Sequence, residues 1–432
     1  MNARNVDPML ADTIDSVLGD RRGRPADGRG ATSFDRELWT SLTDLGFARL
    51  TTPETSGGSG AGGPAGAYLA RRLAFHALDV PQVEHDLLAG WLLDRTGLPP
   101  AGDGGVDTVC VLDDDGRGIA PYGAVADRVV LVRPDGDGWR VAVAAPADLV
   151  LGHGTNPAGE PRSAVVATGP VHGVPVDRRL VEDLLLRGAL ARAAQICGAL
   201  ERAVELSIQH AGTREQFGRR LADFQAVQAL IIDAAAETAL ALAAVDGAVD
   251  LAGAADPGLP FAVAVARSCT GHAASVVTRN AHQVHGAIGT TAEHDLHRST
   301  TRALAWRNDY GHLHGWDDAV TTMAARAGDR ALWPLLLFHL GGPVRGWAPG
   351  LVPGSEAGPF SVPASAGPTG PVGRAGGDTA AGPADLGDPV GPDDRDGTGP
   401  GEPAGPASAR AAHAGLREPA GPAPSRSRPS RT

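Results

Sequence analysis

The sequence predicts a mainly α-helical protein with a small antiparallel β-domain and a long disordered tail. Three observations lead there. Long runs between Leu180 and His285 carry apolar residues at helical spacing and are joined by short connections. Short β-rich runs between about 101 and 175 flank Asp135-Gly136-Asp137-Gly138, a strong hairpin signal. From about 341 onward apolar periodicity is lost and Ala-Gly-Pro recurs irregularly, at 357–359, 366–368, 381–383, 404–406 and 420–422.

The first region, 1–100, reads as helices with loops. Phe34 to Phe47 places Leu38, Leu42, Leu45 and Phe47 on an amphipathic pattern. A Gly-rich break at 52–66 follows, then helical stretches over Ala67 to Ala77 and Asp86 to Arg95, separated at Pro81. The second region, 101–175, holds strand-like runs at Thr108 to Leu112, Arg128 to Arg133 and Arg140 to Ala144. An antiparallel arrangement is expected, because a tight turn needs no helical crossover. The third region, 176–330, contains helices over Leu180 to His210, Ala222 to Leu251 and Phe261 to His285, then shorter ones near Thr291 to Trp306 and Asp317 to Ala327. Their alanine content on all sides predicts close, largely buried packing. The fourth region, 341–432, is the tail.

Composition narrows the function. The core material is Ala, Leu and Val, because 42% of the chain is hydrophobic and only 4% aromatic. A net charge of −12 excludes a general polyanion binder. Every basic residue is Arg, so lysine Schiff-base chemistry is excluded. Cys110, Cys197 and Cys269 lie too far apart for a short Cys-x-x-Cys site, and they suit a reducing compartment. The start, Met1 to Asp20, lacks a basic-then-apolar signal pattern. No membrane span is expected, and a cytoplasmic location follows.

Two segments carry chemistry. Thr213-Arg214-Glu215-Gln216-Phe217-Gly218-Arg219-Arg220 crowds three arginines into a tight loop ahead of a helix, where guanidinium forks and free N–H groups suit an anion. On composition alone, arginines that face water or pair with Glu215 and Asp223 are the better explanation of the loop. Gly218 permits a left-handed turn. The second segment is Asn280-Ala281-His282-Gln283-Val284-His285-Gly286-Ala287-Ile288-Gly289, where a long helix ends and small residues admit a close neighbour.

Taken in order with Phe224-Gln225-Ala226-Val227-Gln228, these segments resemble the C-terminal helical domain of the acyl-CoA dehydrogenase family, of actinobacterial type. The match is best from about Leu180 to His314. Leu38-Trp39 to Leu45-Gly46 and Pro53-Glu54 look like that family's N-terminal helical domain. Ala126-Asp127-Arg128-Val129 and Ala158 to Arg162 look like pieces of a shortened middle domain. The resemblance implies an α-domain, a reduced β-domain and an α-bundle, FAD shared between subunits, and oxidation of an acyl-CoA thioester to the 2-enoyl thioester. It also implies that Arg214 reaches the FAD pyrophosphate of a neighbouring subunit and that Phe217 and Gln225 contact the same cofactor. Gln283, Val284, His285, Gly286 and Ala287 match the segment along the FAD adenosine.

The departures are specific. Ala287 stands where the family usually has glycine. No Thr-Glu-Pro-like loop and no Trp-Ile-Thr/Ser segment is found for the flavin ring, and Trp139 is no substitute. The base that removes the α-proton is a glutamate at one of two family positions. Here they fall near Gly188 and on Tyr310 or Gly311. Glu182 and Asp183 lie near the first and Asp309 near the second. The favoured reading of all three is a helix-end acid facing water; if the chain turns over, Asp309 is the first choice, with its pKa raised through desolvation by Trp306 and Tyr310.

Three readings follow. The leading one is an FAD-dependent acyl-CoA dehydrogenase-like flavoprotein. Its partners would be an acyl-CoA or acyl-carrier thioester, an FAD-sharing subunit in a homo- or hetero-oligomer, and an electron-transfer acceptor. The second is a catalytically silent partner subunit that lends Arg214 and the Gln283 loop to a neighbour. The third is a metal-binding helical bundle using His282, His285, His294 and His297 with Glu293 and Asp295. His-Glu-x-x-His spacing is absent, and no metal site is expected.

Overall fold

Asp7 accepts the Met9 N–H at 2.8 Å with Pro8 in the first helical turn, and this starts α1 (Pro8–Gly19). The structure is a computed structural model and describes residues 6–20, 34–167, 169 and 172–327. The expected tail, 341–432, lies outside the described residues. Helix α1 was not anticipated from sequence. It buries Ala11, Ile14 and Leu18 beside α2 (Arg36–Asp44) and α3 (Gly62–Phe75). Asp35 caps α2 through the Leu38 N–H.

The expected helix at 86–95 begins as a π-helix over Val83–Gly90 and runs into α4 (Trp91–Thr96). All eight residues of the π-turn are buried, and they include Glu84, His85 and Asp86. Wide turns of this kind are frequent at functional sites. Here the turn sends three adjacent ionisable groups into three different surroundings. Asp86 accepts the N–H groups of Thr51 and Thr52, at 2.9 and 3.2 Å. His85 accepts the Asp107 N–H at Nδ1, and Glu84 reaches Arg192.

The β-region forms two sheets. The first orders β1 (Asp107–Val111), β3 (Arg128–Asp135), β4 (Gly138–Ala144) and β7 (Val174–Val176); the second orders β2 (Arg117–Pro121), β6 (Arg162–Val166) and β5 (Val150–Gly152). The expected hairpin joins β3 to β4, with Asp135 opposite Gly138 and Gly136 at φ +60. The purely antiparallel expectation is corrected at β1, which pairs parallel to β3. β2 lies between them in sequence and in the other sheet, so the chain returns to β3 in the direction of β1.

Asp177 caps α5 through the Leu180 N–H, and the helix runs 36 residues, Arg178–Thr213, through the main core. α6 (Gln225–Gly253) and α7 (Leu259–His285) form an antiparallel pair beside it, followed by α8 (Leu296–Trp306) and α9 (Leu313–Ala327). α8 starts later than expected, because residues 291–295 form a loop. Gly198 lets α3 approach α5: a Cβ there would run into the Arg71 carbonyl oxygen. Gly198→Ala is expected to destabilise the fold by about 1–3 kcal/mol or more through overpacking. A shift in the denaturant midpoint measures it.

Two expectations about α6 are corrected. It is not largely buried: only Ala234, Thr238, Ala241, Val245, Ala248 and Val249 are, a narrow seam at alternating spacings of three and four. Ile232 and Leu240 are 67% and 57% exposed. Nor is the chain without a long apolar helix, since α6 alone among the described residues is long and apolar enough to cross a membrane. Length and composition are weak evidence of a span, and α6 is tied into the bundle. Asn280 on α7 donates to the Leu230 carbonyl and to Asp233.

Candidate functional site

Gly188 and Tyr310 are 122 positions apart in sequence, yet they touch. A Cβ on Gly188 would collide with two carbons of the Tyr310 ring. The two places where the resemblance puts a catalytic glutamate therefore lie side by side, filled here by a glycine and a tyrosine. Burial pushes the Tyr310 phenol up, so it stays protonated at neutral pH.

Around this point the core is ionic. Arg192 is 2% exposed on α5. It donates to Glu84 Oε1 at 2.6 Å, to Asp309 Oδ2 at 2.8 Å and to Gln195 Oε1 at 2.5 Å. Arg162 at the start of β6 donates to Asp309 at 3.1 Å and to Glu160 at 3.3 Å. Glu160 also accepts the Trp306 indole N–H at 2.8 Å. Arg302 on α8 pairs with Asp79 at 2.5 Å. The fully buried Arg267 donates to backbone carbonyls of Arg307 and Asp309, which clamps the turn after α8. Between Glu84, Tyr122, Glu160, Arg162, Arg192 and Trp306 remains a cavity of about 10 Å³. That is room for about one water, whereas small-molecule sites span about 300–1,000 Å³.

The expectation for Asp309 is reversed. Burial raises its pKa, but Arg162 and Arg192 outweigh burial and hold the carboxyl below its ordinary value. Trp306, expected to desolvate it, serves Glu160 instead. Both guanidinium groups sit on Oδ2, and protonation of the carboxyl removes the negative charge that each of them faces. Of the other carboxylates weighed, Glu182 pairs with Arg178 on the α5 surface, and Asp183 is exposed.

The arginine loop is a different place. Glu215–Gln216 (β8) pairs with Arg219–Arg220 (β9) across a two-residue turn. Phe217 at φ +54 and Gly218 at φ +75 give it the left-handed twist of a tight hairpin. A bulky residue in that conformation is an outlier and stores about 1–3 kcal/mol of strain. Yet Phe217 is 91% exposed. Its ring is held out at the hairpin tip, with nothing in the core requiring it there. Arg214 is exposed and has no ion-pair partner among the described residues. Arg219 lies over the Phe224 ring at 3.9 Å, and Asp223 caps the Arg220 N–H. Gln225, the first residue of α6, is exposed.

In the second segment Gln283, Gly286 and Ala287 are exposed, whereas Val284 and His285 are buried. Gly286 adopts φ +65, ψ −145, a region only glycine enters readily, and a Cβ there would meet nothing. The space beside this turn is open to a ligand or a second chain.

The histidine group expected from sequence divides. His282 contacts Thr300, His297 donates to the His294 carbonyl, and Glu293 and Asp295 are exposed. His285 and His294 do meet, and His210 from α5 joins them. Sequence reading missed His210, as it missed Glu84, Arg192 and Arg302. No local spacing marks any of them. Cys110, Cys197 and Cys269 are free thiols.

Comparisons agree with this geometry. Residues 178–308 match the family model for the acyl-CoA dehydrogenase C-terminal domain. Acyl-CoA dehydrogenase FadE27 of Mycobacterium tuberculosis is 30% identical over 331 residues, covering 67% of this chain and 88% of that protein. Acyl-CoA dehydrogenase IpdE2 of the same organism is 29% identical over 305 residues, covering 68% and 90%. Among solved structures, the ChsE4-ChsE5 complex from Mycobacterium tuberculosis superposes with a TM-score of 0.65 at 24% identity, covering 74% of this chain and 97% of that one. The sequence likeness, the shared fold and the contact between both base positions have one explanation: the chain belongs to the acyl-CoA dehydrogenase family.

Proposed function

We propose that the chain is a subunit of an FAD-dependent acyl-CoA dehydrogenase that lends its exposed loops to a cofactor shared with a second subunit. FAD, the family's usual cofactor, supplies the acceptor for the hydride that leaves the β-carbon of the acyl thioester. The fit to FAD is one-sided. Arg214 offers a guanidinium fork to the diphosphate, Phe217 a planar face and Gln225 an amide. Gln283 to Ala287 offer an open glycine turn, with His285 contributing backbone only. The cavity of about 10 Å³ beside the Arg192 network is too small for a flavin ring or an acyl chain, while a second, apolar pocket of about 50 Å³ lies among Ala67, Leu87, Leu190 and Val249.

That contrast carries the reading: an outward cofactor edge beside two base positions filled by Gly188 and Tyr310. The second subunit would hold the glutamate that removes the α-proton, bind the acyl-CoA or acyl-carrier thioester, and pass electrons to an electron-transfer acceptor. The ChsE4-ChsE5 complex, built from two differently named chains, offers a precedent for such pairing. The exposed apolar side of α6 is the surface we assign to the subunit contact. In this reading the helical region 1–100, the β-region 101–175 and the bundle 176–330 keep the family's three-part plan, and the enzyme is cytoplasmic.

A homomeric enzyme with Asp309 as base is the second reading. It is favoured by one observation: the carboxylate is kept ionised next to the family's base position.

Arg214→Ala is expected to weaken FAD binding by the assembled enzyme by about 1.5–3 kcal/mol, roughly tenfold or more in affinity. Flavin retention on dilution measures this. Arg220→Ala, at a less specific position, should have a smaller effect. Equal losses from both variants would reduce the role of Arg214 to general positive charge. No loss from either would overturn the lent-loop reading.

A further inference from the structure

Three imidazoles meet where α5 and α7 end. His210 lies in the last turn of α5, His285 closes α7, and His294 sits in the loop before α8. The His210 and His285 rings stack with centroids 4.5 Å apart, and His294 meets His285 at 4.7 Å. One nitrogen from each ring lies within 4.8 Å of the other two.

The hydrogen bonding around the cluster is incomplete. His285 is 6% exposed and donates its Nδ1–H to the Ala281 carbonyl at 2.8 Å. That bond fixes the tautomer and leaves Nε2 as a bare lone pair. The buried Nε2 has no hydrogen-bond partner. A buried acceptor left alone costs about 1–3 kcal/mol, so an orphan of this kind needs an explanation. A backbone carbonyl on one ring nitrogen is also the arrangement that orients a histidine to bind a metal through the other. The His210 ring makes no hydrogen bond to any described residue. His294 accepts the Leu296 N–H at Nδ1, 3.1 Å away. Burial lowers the pKa of all three, the direction that favours the lone pair a metal needs.

We propose that His210, His285 and His294 form a binding site for a divalent first-row transition metal of the zinc type. His285 Nε2 is the anchoring ligand and His210 the second, its ring turning out of the near-parallel stack so that both lone pairs meet the ion. His294 is the adjustable third, because it gives up its Leu296 contact when its ring turns to the ion. Metal–nitrogen bonds of about 2.0–2.1 Å draw the three nitrogens to about 3.4 Å apart and leave a fourth position for water. The bound ion fixes the place where α5 passes into the Arg214 hairpin and α7 into the Gly286 turn. The site does not depend on the cofactor reading, since its ligands are side chains directed inward.

The experiment uses the full chain, stripped with a chelator and titrated with Co(II), followed by visible absorption and calorimetry. One saturable Co(II) per chain is expected, displaced by Zn(II). His285→Gln and His210→Gln should each weaken binding by more than the about 10–100-fold that loss of a supporting hydrogen bond costs. His294→Gln should weaken it less. His312→Gln, outside the cluster, should leave it unchanged. Absence of saturable binding, or equal affinity in wild type and His210→Gln, overturns the proposal. His210 is only half-buried at a helix end, so His210→Gln decides the matter if His285→Gln fails to fold.

Discussion

Replacing Arg192 by alanine is expected to cost about 3–5 kcal/mol of folding stability, the loss typical of a buried ion pair stripped of one partner. Arg192 and Glu84 have side chains 2% and 3% exposed, so water cannot take the place of the guanidinium. The variant leaves Glu84 without its arginine and Asp309 with Arg162 alone. It also frees Gln195. Urea denaturation of wild type and Arg192→Ala gives the difference directly. Arg192→Met, which keeps much of the volume, should recover little of the loss, because charge rather than packing is missing. A loss below about 1 kcal/mol, the range of a surface pair, would show that the network is wet and that the site can open for a substrate.

Acid is expected to act on the fold through His85. Burial drops its pKa from the ordinary 6.5 to about 4, and the nearby Asp107 only partly opposes this. The folded ring is neutral and accepts the Asp107 N–H at 2.9 Å, edge-on to Trp39 at 5.1 Å. The unfolded chain takes up a proton near 6.5, whereas the folded chain does so only near 4. Stability attributable to this group is therefore complete above 6.5 and lost as pH falls toward 4, by about 3 kcal/mol in all. Asp86 works the other way: burial raises its carboxyl to about 6, so it binds a proton in the fold first. The informative quantity is thus the difference between wild type and His85→Gln, whose amide oxygen can still accept the Asp107 N–H. Between about pH 7 and about pH 5, wild type should lose about 2 kcal/mol more than the variant. Equal losses would mean that His85 protonates without leaving its place.

Part of this architecture was legible because its signals are local. The bundle helices follow from Leu and Val spacing and from the breaks at Pro257, Gly258 and Gly286. The hairpin tip was legible in Phe217-Gly218, since glycine supplies one of the two left-handed positions. The rest depends on distance or on context. Nothing in Val83–Gly90 marks a π-turn rather than an α-turn, because both need the same residues. Arg192 and Asp309 are 117 positions apart and His210 and His285 are 75 apart, so each meeting depends on the finished fold. The exposure of α6 escaped detection for another reason. Alanine and leucine on every face look the same whether a helix packs within its own chain or against a second one.

The central claim is that this chain completes a shared cofactor site and does not carry out the proton abstraction itself. It is tested most directly by steady-state turnover over several acyl-CoAs with an artificial electron acceptor. The chain is assayed alone, and then co-purified with a second acyl-CoA dehydrogenase chain that keeps a glutamate at either base position. The account predicts no turnover above background and little flavin for the chain alone, with both gained on assembly. Vigorous turnover by the chain alone, lost in Asp309→Asn, would contradict it and return the base to Asp309.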